Sequence, residues 1–224
     1  ALLRVSIPYR IYGGLRFYER LEIKNAIAYL KVIFNNSDNP SFERSISNPT
    51  RGVGEKTLAK IRNAAKQYNI SYIKASAKLI DEGSISGRGG SGLRDYLEFI
   101  AGCKSFIEEN LLSELMELII KESGLYAYHA KEPGEKGKTR TENLEELITA
   151  TKNFEQSIEE EIPNIEVAEK YLDIISLDSG DRQASEHDDA AQLMTMHSAK
   201  GLEFKLVLLT GLEESLFPHG RSME

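Results

Sequence analysis

Gln192-Leu193-Met194-Thr195-Met196-His197-Ser198-Ala199-Lys200-Gly201-Leu202-Glu203-Phe204 runs directly into Lys205-Leu206-Val207-Leu208-Leu209-Thr210, and this stretch decides the fold. Gln192–Met196 reads as a short strand followed by a polar loop. Lys205–Thr210 reads as a second, buried strand, because a continuous apolar run suits a strand covered on both faces. At the other end, Val5–Tyr12 is β-branched and aromatic and stops at Gly13-Gly14. That predicts a strand and a turn, weakened by Pro8. The pattern between these ends is helical. Ile23, Ile27, Leu30 and Phe34 fall on one helical stripe. Ser41–Ser47 reads as a short helix and Lys56–Tyr68 as a longer one, with Leu58, Ile61 and Ala65 inward. Further stripes are Leu93 to Ile107, Leu112 to Ile119, Leu144 to Thr151 and Ile165 to Ile175. Pro49–Gly54 reads as a tight loop and Lys131–Lys138 as a charged one. Gly83–Gly92, with five glycines in ten residues, reads as a flexible loop. Asp178–Asp189 reads as a polar linker. The expected architecture is mainly α: a helical domain inserted into an α/β domain of which only short strand segments remain. A self-contained α+β domain is the rival.

Composition narrows the class. The 224 residues are 41% hydrophobic and 28% charged, ordinary for a globular chain. No apolar run approaches the roughly 18 residues of a membrane helix, and the N-terminal residues do not resemble a signal peptide. A single cysteine, Cys103, excludes an internal disulfide framework and fits a reducing cytoplasm. The net charge of −7 hides an asymmetry. Residues 1–74 carry 13 Lys+Arg against 5 Asp+Glu, whereas residues 75–224 carry 15 against 30. A basic front on an acidic chain points to a local anionic partner.

Three segments have chemistry suited to such a partner. In Thr50-Arg51-Gly52-Val53-Gly54-Glu55-Lys56-Thr57, two glycines permit a left-handed turn and bring backbone N–H groups within reach of a phosphate. The helix that follows aims its positive end at the anion. Arg51 and Lys56 add charge, and Thr50 and Thr57 add hydroxyl donors. The plain alternative is an ordinary inter-helix turn. The second segment, Gly13-Gly14-Leu15-Arg16-Phe17-Tyr18, opens a helix with a cation and two aromatics. In the third, Thr195, His197 and Ser198 could donate to a nucleic-acid backbone, and Glu203, just after Gly201, could accept from a ribose hydroxyl. Other chemistry finds no support. Gly134-Glu135-Lys136-Gly137-Lys138-Thr139 resembles a P-loop, but the required first glycine falls on Glu132. The four histidines show no metal spacing, and no catalytic triad can be argued.

Together these residues resemble a family. Tyr9–Lys24 resembles the "YxGGxxFFxRxEIKD" motif of UvrD/Rep/PcrA-type superfamily 1 DNA helicases. Phe42–Gly54 is similar to their "AFxRIINxPxRGIG" segment, and Thr139–Leu147 to "xRxENLEEL". Gln192–Phe204 with Gly211–Pro218 is similar to their motif V. Tyr18, Asn25 and Ser215 depart from the usual Phe, Asp and Gly. The resemblance implies a helical 2B-type domain at residues 15–185 within a RecA-like domain 2A, of which residues 1–14 and 186–224 are pieces. It implies a parent that is an ATP-dependent 3′→5′ DNA helicase using ATP and Mg²⁺ in the bacterial cytoplasm, serving repair or replication. Its partners would be duplex and single-stranded DNA, repair or replication proteins, and copies of itself. By the family's roles, Gly13, Gly14, Arg16 and Thr50–Thr57 would hold duplex DNA. Thr195, His197 and Ser198 would touch the single strand, and Gly201 and Glu203 would bind ATP, with Glu203 at the ribose. The family's Walker A lysine, Walker B acidic pair and motif VI arginine find no counterpart in these residues. The chain alone is therefore expected to hydrolyse no ATP, to bind no cofactor or metal and to carry no catalytic residue. The other class in play is a free-standing, non-enzymatic DNA-binding or protein-interaction module.

Overall fold

The computed structural model describes residues 9–12, 17–160, 162–178, 190–194 and 199–210. The chain divides into two compact units, residues 15–182 and residues 1–14 with 183–224.

The larger unit is helical. After a 3₁₀ turn at Phe17–Glu19 come α1 (Leu21–Phe34), α2 (Asn39–Ser47), α3 (Glu55–Tyr68), α4 (Tyr72–Asp81) and α5 (Gly87–Glu109). They are followed by α6 (Leu112–Glu122), α7 (Leu125–Ala130), α8 (Glu135–Gln156) and α9 (Asn164–Asp178). Helix α1 is the axis of the unit. Ile23, Ala26, Ile27, Tyr29, Leu30, Val32 and Ile33 are buried on nearly every side of it. It packs against α2, α5, α6 and α8. A helix that is apolar almost all round belongs inside, and this one has neighbours to cover it.

Local chemistry sets the helix ends. Asp38 caps α2, accepting from the Ser41 backbone N–H at 3.0 Å, and Pro40 sits in the first turn, where its missing N–H costs nothing. Ser71 caps α4. Asn69 ends α3 in the left-handed conformation that a short polar side chain tolerates. Helices α4 and α7 are absent from the sequence reading.

Two expected loops are helical in their later part. Helix α5 begins at Gly87, so most of the glycine run is its first turns rather than a flexible loop. The reason is close packing. A β-carbon on Gly92 would stand 2.0 Å from the Arg51 carbonyl oxygen, and one on Gly90 would stand 2.9 Å from that of Ile85. These glycines let backbone approach backbone. Helix α8 likewise begins at Glu135, inside the expected Lys131–Lys138 loop. A β-carbon on Gly137 would stand 2.4 Å from the Glu132 carbonyl oxygen and 2.8 Å from that of His129.

The Leu93–Ile107 stripe is a core face, with Leu93, Tyr96, Ile100, Cys103 and Ile107 all buried. Burial pushes the Cys103 thiol up to about 12, so it stays protonated and unreactive. Ile100→Ala is expected to destabilise the unit by about 2–5 kcal/mol, the range for emptying a buried aliphatic site. Urea unfolding checks this, and a neutral result would remove the stripe from the core.

In the smaller unit, β1 (Tyr9–Tyr12) pairs in parallel with β2 (Ala191–Met194), with Tyr9 opposite Ala191 and Tyr12 opposite Met194. Lys205–Thr210 is not the buried strand expected of it. Among the described residues it forms no strand, and Leu206 and Leu208 are 76% and 81% exposed. A buried strand needs a neighbour for its N–H and C=O groups and cover for both faces. The described residues supply neither. The Asp178–Asp189 linker lies almost wholly outside the described residues. No described helix is long and apolar enough to cross a membrane.

Candidate nucleic-acid interface

The loop between α2 and α3 is built around Gly52. Its φ is +75°, in the region that favours glycine. A β-carbon there would also stand 2.9 Å from Cγ of Arg88. Gly54 precedes α3 in extended backbone, and no side chain caps that helix. The first N–H groups of α3 therefore have no side-chain acceptor of their own. Thr50, Gly52, Gly54 and Lys56 are exposed, and Thr57 is half-buried.

The first turns of α5 lie against this loop. A β-carbon on Gly89 would stand 3.1 Å from the Gly52 carbonyl oxygen and 3.6 Å from Oγ1 of Thr57. Two helix N-termini thus meet beside Gly52–Gly54, each carrying partial positive charge. Lys56 and Arg88 are exposed there, and neither makes an ion pair among the described residues. Arg88 escapes the sequence reading because it lies within Gly83–Gly92, whose glycine content reads as a flexible loop. The available signal was the three-residue spacing of Gly89 and Gly92, one face of a helix.

Two expected DNA-contact side chains point inward. Val53 is in the core at 8% exposure, so only its backbone reaches the surface. Arg51 turns into the domain. Its Nη1 donates to the carbonyls of Ser45 (3.2 Å) and Pro49 (2.9 Å), and its Nη2 to that of Ser123 (2.7 Å). Its guanidinium carbon lies 5.4 Å from the Tyr29 ring centre and 5.6 Å from that of Tyr96. The half-buried Arg51, expected to add phosphate-binding charge, thus spends these three hydrogen bonds on carbonyls of the fold. Arginine's planar fork suits several carbonyls and two rings at once, and this half-buried guanidinium pairs three of its donors with them. Tyr29 donates to the Ser45 and Asn48 carbonyls at 2.7 and 2.8 Å, and the Tyr96 and Ser45 hydroxyls lie 2.6 Å apart. Burial raises both phenols well above their usual range, so both stay neutral.

The Thr139–Leu147 motif serves the fold at its own location. Asn143 Nδ2 donates to Glu22 Oε1 at 2.6 Å, and Arg20 donates to Asn143 Oδ1. Arg140 Nε lies 3.6 Å from Glu22 Oε2, while its Nη1 donates to both Glu132 oxygens at 2.6 and 2.8 Å. Glu132 also meets His129 Nδ1 at 2.6 Å. A polar chain thus ties the start of α1 to α7 and α8. Lys138, the would-be P-loop lysine, lies 3.7 Å from Glu142 on α8.

Gly13, Gly14, Arg16, Thr195, His197 and Ser198 lie outside the described residues. Gly201 is exposed in a turn at φ +86°, with the Leu202 N–H donating to the Ala199 carbonyl, and Glu203 is exposed just beyond. Among the described residues no group of three His, Cys, Asp or Glu could hold a metal ion.

The larger unit is thus a helical domain with a glycine loop and two helix N-termini on its surface, and the smaller unit holds a pair of parallel strands. The sequence profile of the UvrD-like helicase C-terminal domain matches residues 1–85 and 94–224, so the chain belongs to that family. It is 43% identical over its full length to DNA helicase II of Escherichia coli K12, of which it covers 31%. It is 44% identical to DNA helicase II of Haemophilus influenzae, covering 30%, and 36% identical to the ATP-dependent DNA helicase PcrA of Bacillus subtilis, covering 30%. The chain thus spans under a third of the length of these relatives.

Proposed function

We propose that the chain is the C-terminal-domain portion of an ATP-dependent 3′→5′ DNA helicase, and that its helical unit grips duplex DNA and regulates unwinding. One observation carries the reading. The exposed Thr50, Gly52 and Gly54, the uncapped start of α3 and the cations Lys56 and Arg88 share one surface, in a family whose relatives are named DNA helicases. Backbone N–H groups and point charges there suit phosphates and carry no base code, so the grip is independent of sequence. Gly13, Gly14 and Arg16 extend the same role, and Thr195, His197 and Ser198 serve the single strand.

ATP and Mg²⁺ belong to the parent enzyme. The fit of this chain to a nucleotide is partial. Glu203 is an exposed acceptor suited to a ribose hydroxyl beside Gly201, but no phosphate cradle accompanies it among the described residues, and Gly134–Thr139 is packed as the start of α8. When bound, ATP would supply the energy of unwinding. Repair or replication proteins and self-association, in the bacterial cytoplasm, complete the proposal.

The test is titration with duplex and single-stranded DNA across a salt series. Duplex binding is expected at roughly 10⁻⁴–10⁻⁶ M at physiological salt, tightening as salt falls. Lys56→Ala should weaken all sequences alike and flatten the salt slope by about one. Lys152→Ala, on exposed α8 surface, should change nothing. Equal losses from both would reduce the binding to diffuse charge, and absence of duplex binding would leave the free-standing protein-interaction module as the better reading.

A further inference from the structure

We infer that Arg51 is a positioning residue for the duplex-binding loop: it holds the Thr50–Gly54 backbone in its DNA-ready shape from inside the domain and makes no phosphate contact. The inference rests on the duplex reading above.

Arg51 lies within the loop, yet its side chain turns away from the exposed face. It collects the carbonyls of Ser45 at the end of α2, Pro49 in the loop and Ser123 after α6. One guanidinium therefore ties three backbone segments, and the rings of Tyr29 and Tyr96 flank it. Its backbone is held from the other side. The Arg51 carbonyl sits where a β-carbon of Gly92 would be, and the Gly52 carbonyl lies 3.1 Å from where one on Gly89 would be. The loop is clamped between a side-chain anchor and the glycine face of α5. A preformed loop meets DNA without first losing conformational freedom, and preorganisation of this kind raises affinity without adding a contact. Lysine has the charge but lacks the planar fork, so it cannot serve three carbonyls and two rings together.

The experiment uses the full chain and a blunt DNA duplex over a salt series. Arg51→Lys is expected to bind about tenfold or more weakly, with the wild-type salt slope, because a tenfold loss reflects lost geometry and the phosphate contacts stay the same in number. Gly92→Ala keeps every charge while forcing the Arg51 carbonyl to move, and should reproduce that loss at the same slope. Wild-type affinity in Arg51→Lys, or a slope reduced by about one in Arg51→Gln, overturns the inference and makes Arg51 a phosphate contact. If a variant unfolds, isotope-labelled wild-type protein decides. The Arg51 Nε–H resonance should keep its position when duplex is added while Lys56 responds, and movement of the Arg51 resonance overturns the inference. Failure of the duplex reading looks different, because wild type then binds no duplex or ignores Lys56→Ala. In that event the Gly52 and Gly54 amide resonances of Arg51→Lys still report whether the anchor shapes the loop.

Discussion

Arg140→Ala lowers the unfolding free energy of the helical unit by about 1–3 kcal/mol, the range for leaving a buried acceptor such as Glu22 short of a partner. Glu22 is 4% exposed and depends on Arg140 and Asn143 for its partners. Without Arg140 its carboxylate keeps one amide donor and little water. Glu132 loses its bidentate partner in the same step. The dependence on acid follows from Glu132. Its carboxyl lies below the usual carboxylate range, held there first by the hydrogen bond with His129 and then by that with Arg140. A pKa lower in the folded state than in the unfolded one adds stability above the unfolded value. That stability drains away as pH falls through the folded-state value. Arg140→Ala has already lost part of it, so the gap between wild type and variant should narrow in acid. Urea melts at neutral and acidic pH measure both effects. A loss under about 1 kcal/mol at neutral pH would make the network no stronger than a surface ion pair.

Gly52→Val has the largest expected effect on DNA. The position has φ +75°, which costs an L-residue about 1–2 kcal/mol and makes a β-branched residue a genuine outlier. The new β-carbon would also meet Arg88 Cγ at 2.9 Å, near the root of that side chain. Either the loop or the start of α5 must shift, and both belong to the proposed grip. Duplex affinity should fall about tenfold or more, each tenfold corresponding to about 1.4 kcal/mol. Gly83→Ala is the matched control. Gly83 has a similar φ of +69° but open space around it. It should cost some stability and leave DNA binding unchanged. Unaltered binding by Gly52→Val would remove the loop from the interface.

The stripes were legible because they are local. Ile23, Ile27 and Leu30, or Leu93, Ile100 and Ile107, declare a helix face at fixed spacing, and the structure buries each of them. What escaped depended on partners remote in sequence. Gly89 and Gly92 look like flexibility until the carbonyls of Arg51 and Gly52 are seen against them. Arg51 looks like a DNA contact until Ser123, far along the chain, accepts from it. Leu206–Leu209 has the composition of a buried strand, but composition cannot supply the neighbour a strand needs. Helix α7 has six residues, too few for a period to show. In the proposed site, the turn at Gly52 and the exposed Lys56 were readable from residue type. Arg88 and the inward turn of Arg51 were not, because both follow from packing.

The parallel pairing of β1 with β2 bears on what the chain between them costs. The cost of bringing two chain ends together grows only slowly with the length between them, about 0.6 kcal/mol per doubling. Tyr9–Tyr12 and Ala191–Met194 keep their register across the whole helical unit. By that scaling, doubling the length of chain between them would cost the pair only about 0.6 kcal/mol more in closure entropy.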